Sequence, residues 1–125
     1  MNKELTIRFE IERKNILNAN VSKHRYIKGT IAKNLRAIGY KEGSKYSEKF
    51  KHYDVDVLIY PPTRRRFDPP NLYPTVKHLI DGLTDSKLWE DDDWKHLNKM
   101  SFAYGGNISG TKDLFIFDLI IKEID

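Results

Sequence analysis

Cysteine is absent from this chain, which excludes thiolate metal sites, thiol nucleophiles and a disulfide framework, and fits a reducing compartment. Long apolar runs are missing too. No segment approaches the roughly 18 to 20 apolar residues of a membrane span, and the opening MNKELTIRFEIERK has no signal-peptide core. The expectation is a cytoplasmic protein with no membrane partner. No repeat, low-complexity tract or linker interrupts the 125 residues, enough for about one domain that buries a core without a disulfide or structural metal. The four histidines, His24, His52, His78 and His96, lack zinc-site spacing and none is read as a metal ligand.

Charge is present in quantity and is unevenly placed. The net charge is +4, yet residues 1 to 66 hold 16 Lys+Arg against 7 Asp+Glu, and residues 67 to 125 hold 6 against 11. The halves therefore carry +9 and −5. Basic surface in one half and clustered carboxylates in the other suit a protein that binds a polyanion and brings metal to it. An ordinary basic domain with a solvated acidic loop is the plainer alternative.

Hydrophobic periodicity gives the elements. Leu5 to Glu12 alternates, with Ile7, Phe9 and Ile11 on one face of a half-buried strand. Ser22 to Ile38 spaces Tyr26, Ile27, Ile31, Leu35 and Ile38 as an apolar helical face, and Gly39 stands where a C-terminal cap would. Lys51 to Tyr60 has period two and ends at Pro61-Pro62. A second helix starts near Pro74, with Asn71 as its cap or as the holder of the preceding turn, and runs to about Lys87. Its apolar arc is Val76, Leu79, Ile80 and Leu83, beside a polar shoulder of Lys77, Asp81 and Thr84. Leu97 to Tyr104 and Leu114 to Lys122 are strands joined by the turn-forming GGNISGTKD. The order β-α-β-α-β-β implies an α+β domain, a small mixed sheet with two helices on one face.

The segment RRRFDPPNLYPTVKHLIDGLTDSKLWEDDD, Arg64 to Asp93, concentrates the chemistry. Asp68 follows three arginines in a proline-restricted loop, so a carboxylate for Mg²⁺ stands beside guanidinium groups for phosphate. The plainer reading makes Asp68 a turn residue and the arginines a solvated run. Adjacent Asp91, Asp92 and Asp93 repel one another, and a cation would relieve that cost. Asp81 is either a surface ion-pair partner of Lys77 or a third carboxylate facing the metal, with Lys77 as phosphate contact or transition-state cation. Trp89 reads as core; Trp94 is a core, lid or base-stacking residue.

These residues resemble the RusA family of Holliday-junction resolvases in its phage-type branch: an Arg-rich strand end, an acidic turn with Asp68 and Asn71, a helix with Lys77 and Asp81, and the pair Asp91 and Asp92. The pattern D-P-x-N-L-x-P-T-x-K, then L-x-D-G-L, then D-D-D spans Arg64 to Leu97, with Asn20, His24 and Lys28 as weaker support. One position departs from it: Pro70 stands where the family commonly has a second carboxylate.

The resemblance implies an Mg²⁺-dependent endonuclease, with Mn²⁺ as a substitute, acting as a homodimer on branched DNA such as a four-way junction. It further implies a phage or prophage protein in a bacterial cytoplasm. Asp68 and Asp92, with Asp91 or Asp81, would hold the metal; Asp68, Asp92 and Lys77 would be catalytic. Arg64, Arg65, Arg66, Asn71, His24, Lys28 and Lys77 would contact DNA. A non-catalytic branched-DNA-binding protein of the same fold is the alternative.

Overall fold

Alternation along three strands puts one row of side chains from each on a single face, and that row is the floor of the core. In a computed structural model describing residues 3 to 124, the strands are β1 (Glu4–Glu12), β2 (Tyr53–Tyr60), β3 (Leu97–Tyr104) and β4 (Leu114–Glu123). The helices are α1 (Arg25–Gly43) and α2 (Tyr73–Asp85), and 3-10 turns cover Arg13–Asn15 and Pro69–Leu72. The sheet order is β1-β4-β2-β3; β2 and β3 are parallel and the other neighbours antiparallel. Register aligns Ile7 with Leu119 and Phe9 with Phe117, then Val57 with Leu119 and Ile59 with Phe117, all buried. The mixed α+β sheet with its two helices is as the periodicity implied.

The opposite sheet face is more polar. Arg8 donates two hydrogen bonds of 2.8 Å to Asp118 there, and Asp118 is only 7% exposed. A bidentate guanidinium is what allows a carboxylate that much burial.

Several boundaries differ from expectation for identifiable reasons. Helix α1 starts three residues later than Ser22, because His24 is its cap: the ring Nδ1 accepts a hydrogen bond from the Tyr26 N–H at 3.2 Å. Gly39 does not end α1; the helix continues to Gly43. Gly39 is instead where the two helices touch, since a Cβ there would fall on the Leu79 carbonyl, and a Cβ on Gly82 would fall on that of Arg36. The buried stripe of α1 is Ile31, Leu35, Gly39 and Gly43, one residue per four. Tyr26 and Ile27, expected on the apolar face, precede that stripe and are exposed, Tyr26 by 82%.

The arc Val76, Leu79, Ile80 and Leu83 on α2 is fully buried. The helix stops at Asp85 rather than near Lys87, because Lys87 turns to φ 68°, a left-handed conformation that ends α-helical hydrogen bonding. Strand β2 starts at Tyr53 rather than Lys51; just before it, Phe50 makes an isolated parallel bridge to Trp89. Trp89 is core, as expected. No helix among the described residues is long and apolar enough to cross a membrane.

Candidate functional site

The loop after β2 exposes its charge because its ends are fixed. Pro61 and Pro62 are buried at the strand end, and the Pro61 carbonyl accepts the Ser109 N–H at 2.8 Å. Arg64, Arg65 and Arg66 follow, all exposed, and no salt bridge engages them among the described residues. Uncompensated neighbouring cations favour an anionic partner.

Asn71 holds the turn rather than capping α2. Its N–H donates to the Asp68 carbonyl at 2.9 Å and its Nδ2 to the Asp68 carboxylate at 3.4 Å, while Leu72 stands at the helix cap with no side-chain hydrogen bond. Asp68 is exposed, and Pro70 lies exposed inside the 3-10 turn. The Asn71 carbonyl accepts the Ala19 N–H at 2.8 Å. Within the first turn of α2, buried Thr75 both accepts from the Leu17 N–H and donates to the Leu17 carbonyl, each at 2.8 Å. These bonds pin the connection between β1 and α1 against the start of α2.

The second cluster lies along α2. Lys77 forms an ion pair with Asp81 one turn later, and its ammonium is 3.5 Å from the Asp92 carboxylate. His78 Nδ1 approaches the other Asp81 oxygen at 3.5 Å. Burial alone would lower the Lys77 pKa, but the hydrogen bond and charge of Asp81, with the charge of Asp92, outweigh it and raise it. Lys77 is therefore a charged ammonium between two carboxylates.

The acid run is stable because its members diverge. The Tyr53 hydroxyl donates to the Asp91 carbonyl at 2.8 Å, and the Tyr53 ring stacks on Trp89 at 4.2 Å between centroids. The Trp89 indole N–H donates to Thr84 Oγ1 at 2.6 Å, which ties the run to α2. From that anchor the Asp91 carboxylate accepts the Asp92 N–H at 2.7 Å, Asp92 faces Lys77, and Asp93 meets His96 Nδ1 at 2.5 Å. The Tyr53 hydroxyl pKa is raised, first by burial and then by the charges of Asp92, Asp91 and Asp93. Asp93 is lowered and His96 raised, each mainly by their mutual hydrogen bond.

Of the residues expected to act together, Lys77, Asp81 and Asp92 meet, with Asp91 on the same turn as Asp92. Among the described residues, the only side-chain hydrogen bond of Asp68 is to Asn71. Nor do any three His, Asp or Glu side chains among them form a group that could hold a metal ion. His24 and Lys28 are exposed on the first turns of α1.

Two participants were not legible in advance. Arg36 on α1 makes bidentate contacts of 2.5 and 2.9 Å to Asp85, and its pKa is raised by that hydrogen bond and charge and, further off, by Asp81 and Asp92. The pair is 49 positions apart, and no local sequence signal announced it. Tyr53 as anchor of the acid run carried no signal beyond strand alternation. The chain matches no protein-family model and no curated protein sequence.

Proposed function

We propose that this protein is an Mg²⁺-dependent endonuclease of the RusA type, which resolves four-way junctions or other branched DNA by phosphodiester hydrolysis and acts as a homodimer. The observation that carries the reading is the Lys77 ammonium held between the Asp81 and Asp92 carboxylates, on the helix that follows an exposed run of three unpaired arginines. Two carboxylates converging on a cation are a hard-oxygen donor set. Mg²⁺ is commonly bound through one or two carboxylates, with water and substrate phosphate completing its shell. Asp81 and Asp92 would supply two such oxygens once the Lys77 ammonium between them moves aside, and the remaining positions would fall to water and substrate phosphate, since no third carboxylate joins them among the described residues. When bound, Mg²⁺ polarises a phosphoryl oxygen and makes a coordinated water a nucleophile at neutral pH.

The protein's own groups have separate tasks. Arg64, Arg65 and Arg66 engage phosphate oxygens along the strand and set its register without reading sequence. Lys77, kept protonated by its carboxylate neighbours, supplies fixed positive charge where negative charge develops on the phosphate. Water attacks phosphorus, the bond to the 3′ oxygen breaks, and 5′-phosphate and 3′-hydroxyl ends remain, as the family resemblance implies. Two copies related by a two-fold axis would present two such sites to a substrate of matching symmetry.

Incubation of a synthetic four-way junction with and without Mg²⁺ tests this reading. Paired nicks are expected with the metal and none in chelator. A protein that shifts the junction in a gel but never nicks it is the non-catalytic binder, the outcome favoured if Pro70 marks a lost ligand.

A further inference from the structure

Beside the arginine run lies a cleft of about 400 Å³, between the arginine loop and the pinned connection that precedes α1. Its apolar lining includes Phe115, Phe67, Ile16 and Leu72, of which only Phe67 is half-buried and the others are buried. Four cations line it as well: Arg13, Lys23, Arg65 and Arg66. Arg13 is partly committed, paired with Asp113 at 2.9 Å and lying over the Phe115 ring at 5.6 Å. No carboxylate lines the cleft among the described residues. The occupant such a space favours is flat and apolar in its body and anionic at its edge.

The walls are prebuilt. Thr75 holds Leu17 and Asn71 holds Ala19 on one side, and Pro61 is held through Ser109 on the other. Little ordering is then left for a ligand to impose. The volume lies in the range of about 300 to 1,000 Å³ typical of clefts that enclose a small ring system.

We infer that this cleft is a subsite for one unpaired nucleotide of a branched DNA strand, its base against the half-buried Phe67 ring and its phosphate among Lys23, Arg65 and Arg66, with Phe115 behind as buried wall. This rests on the branched-DNA reading and deepens it. Phe67 immediately precedes Asp68, so a base lodged here places the neighbouring backbone along the acidic turn. Stacking on aromatic side chains tolerates any base, because each has a π face. The subsite therefore selects unpaired structure over sequence.

Fluorescence anisotropy on the full chain in chelator, where cleavage cannot interfere, tests the inference. The probes are a junction with one unpaired nucleotide at the branch and the same junction with an abasic residue there. The abasic junction is expected to bind about ten-fold more weakly, the scale of losing one base stack. Val21→Trp fills the cleft from its exposed rim without removing a cation, and is expected to bind both junctions with the weaker affinity while melting as the parent does.

Equal affinity of the parent for both junctions overturns the subsite and leaves the branched-DNA reading standing. A ten-fold preference that survives in Val21→Trp also overturns it, because the base is then held elsewhere. Failure to bind either junction overturns both.

Discussion

Replacing Gly82 by Ala tests the helix crossing that brings Arg36 to Asp85. A Cβ on Gly82 would fall on the Arg36 carbonyl, 2.6 Å from the Tyr40 nitrogen and 2.8 Å from the Gly39 Cα. All three neighbours are backbone atoms of α1, so no side chain can rotate away and the helices must separate. Overpacking of this kind costs about 1 to 3 kcal/mol. Helix propensity acts the other way, since Gly to Ala in a helix interior contributes about 0.8 to 1 kcal/mol. Gly29, also in α1, isolates that second effect because a Cβ there meets nothing within 4 Å. Gly29→Ala is expected to stabilise by about 0.5 to 1 kcal/mol. Gly82→Ala should fall about 1 to 3 kcal/mol below it, the overpacking cost alone, because the propensity gain is common to both. Urea denaturation of both variants, with slopes compared to confirm two-state unfolding, measures the difference. Equal midpoints for the two variants would show that the helices do not meet at Gly39 and Gly82.

Other perturbations address the charged clusters. Arg64, Arg65 and Arg66 replaced together by Gln should weaken DNA binding and flatten its salt dependence, by about 0.9 in log-log slope for each duplex phosphate that an arginine had neutralised; an unchanged slope makes the run merely solvated. Lys77→Met should reduce single-turnover cleavage on the order of 10²- to 10³-fold, while stability changes by no more than about 1 kcal/mol because the pair is partly exposed; loss of fold would assign Lys77 a structural role instead. The His96 ring should titrate above its ordinary value in an NMR pH series, and Asp93→Asn should bring it down. With the His96 pKa raised by folding, its stabilisation is fully present below the unfolded value and fades as pH rises through the folded one. For Asp93, whose pKa is lowered, it is present above the unfolded value and fades as pH falls through the folded one. A His96 pKa indifferent to Asp93→Asn would contradict the pairing.

Strand alternation was sufficient to place Ile7, Phe9, Val57 and Ile59 in the core, because a period of two leaves no ambiguity about which side is inward. The arc of α2 was legible for the same reason at helical period. The face of α1 was legible only in part: Ile31, Leu35 and Ile38 pack inward as expected, but the stripe also includes Gly39 and Gly43, which add no hydrophobic signal, and omits Tyr26 and Ile27, which add a false one. In the candidate site, Lys77 and Asp81 could be paired from their spacing of four, and Asp92 was expected near them. Arg36 with Asp85, and Tyr53 beneath Asp91, are long-range pairings set by the helix crossing and the strand register. No local pattern encodes either.

The central claim is that the carboxylates at the end of the acid run act on DNA already held by the basic surface. Asp92→Asn separates the two tasks, since it removes one charge facing Lys77 and leaves every arginine in place. Measured on a four-way junction, cleavage in Mg²⁺ should be abolished in this variant while junction binding in chelator matches the parent. Binding that falls in step with cleavage would make Asp92 a structural residue and contradict the account.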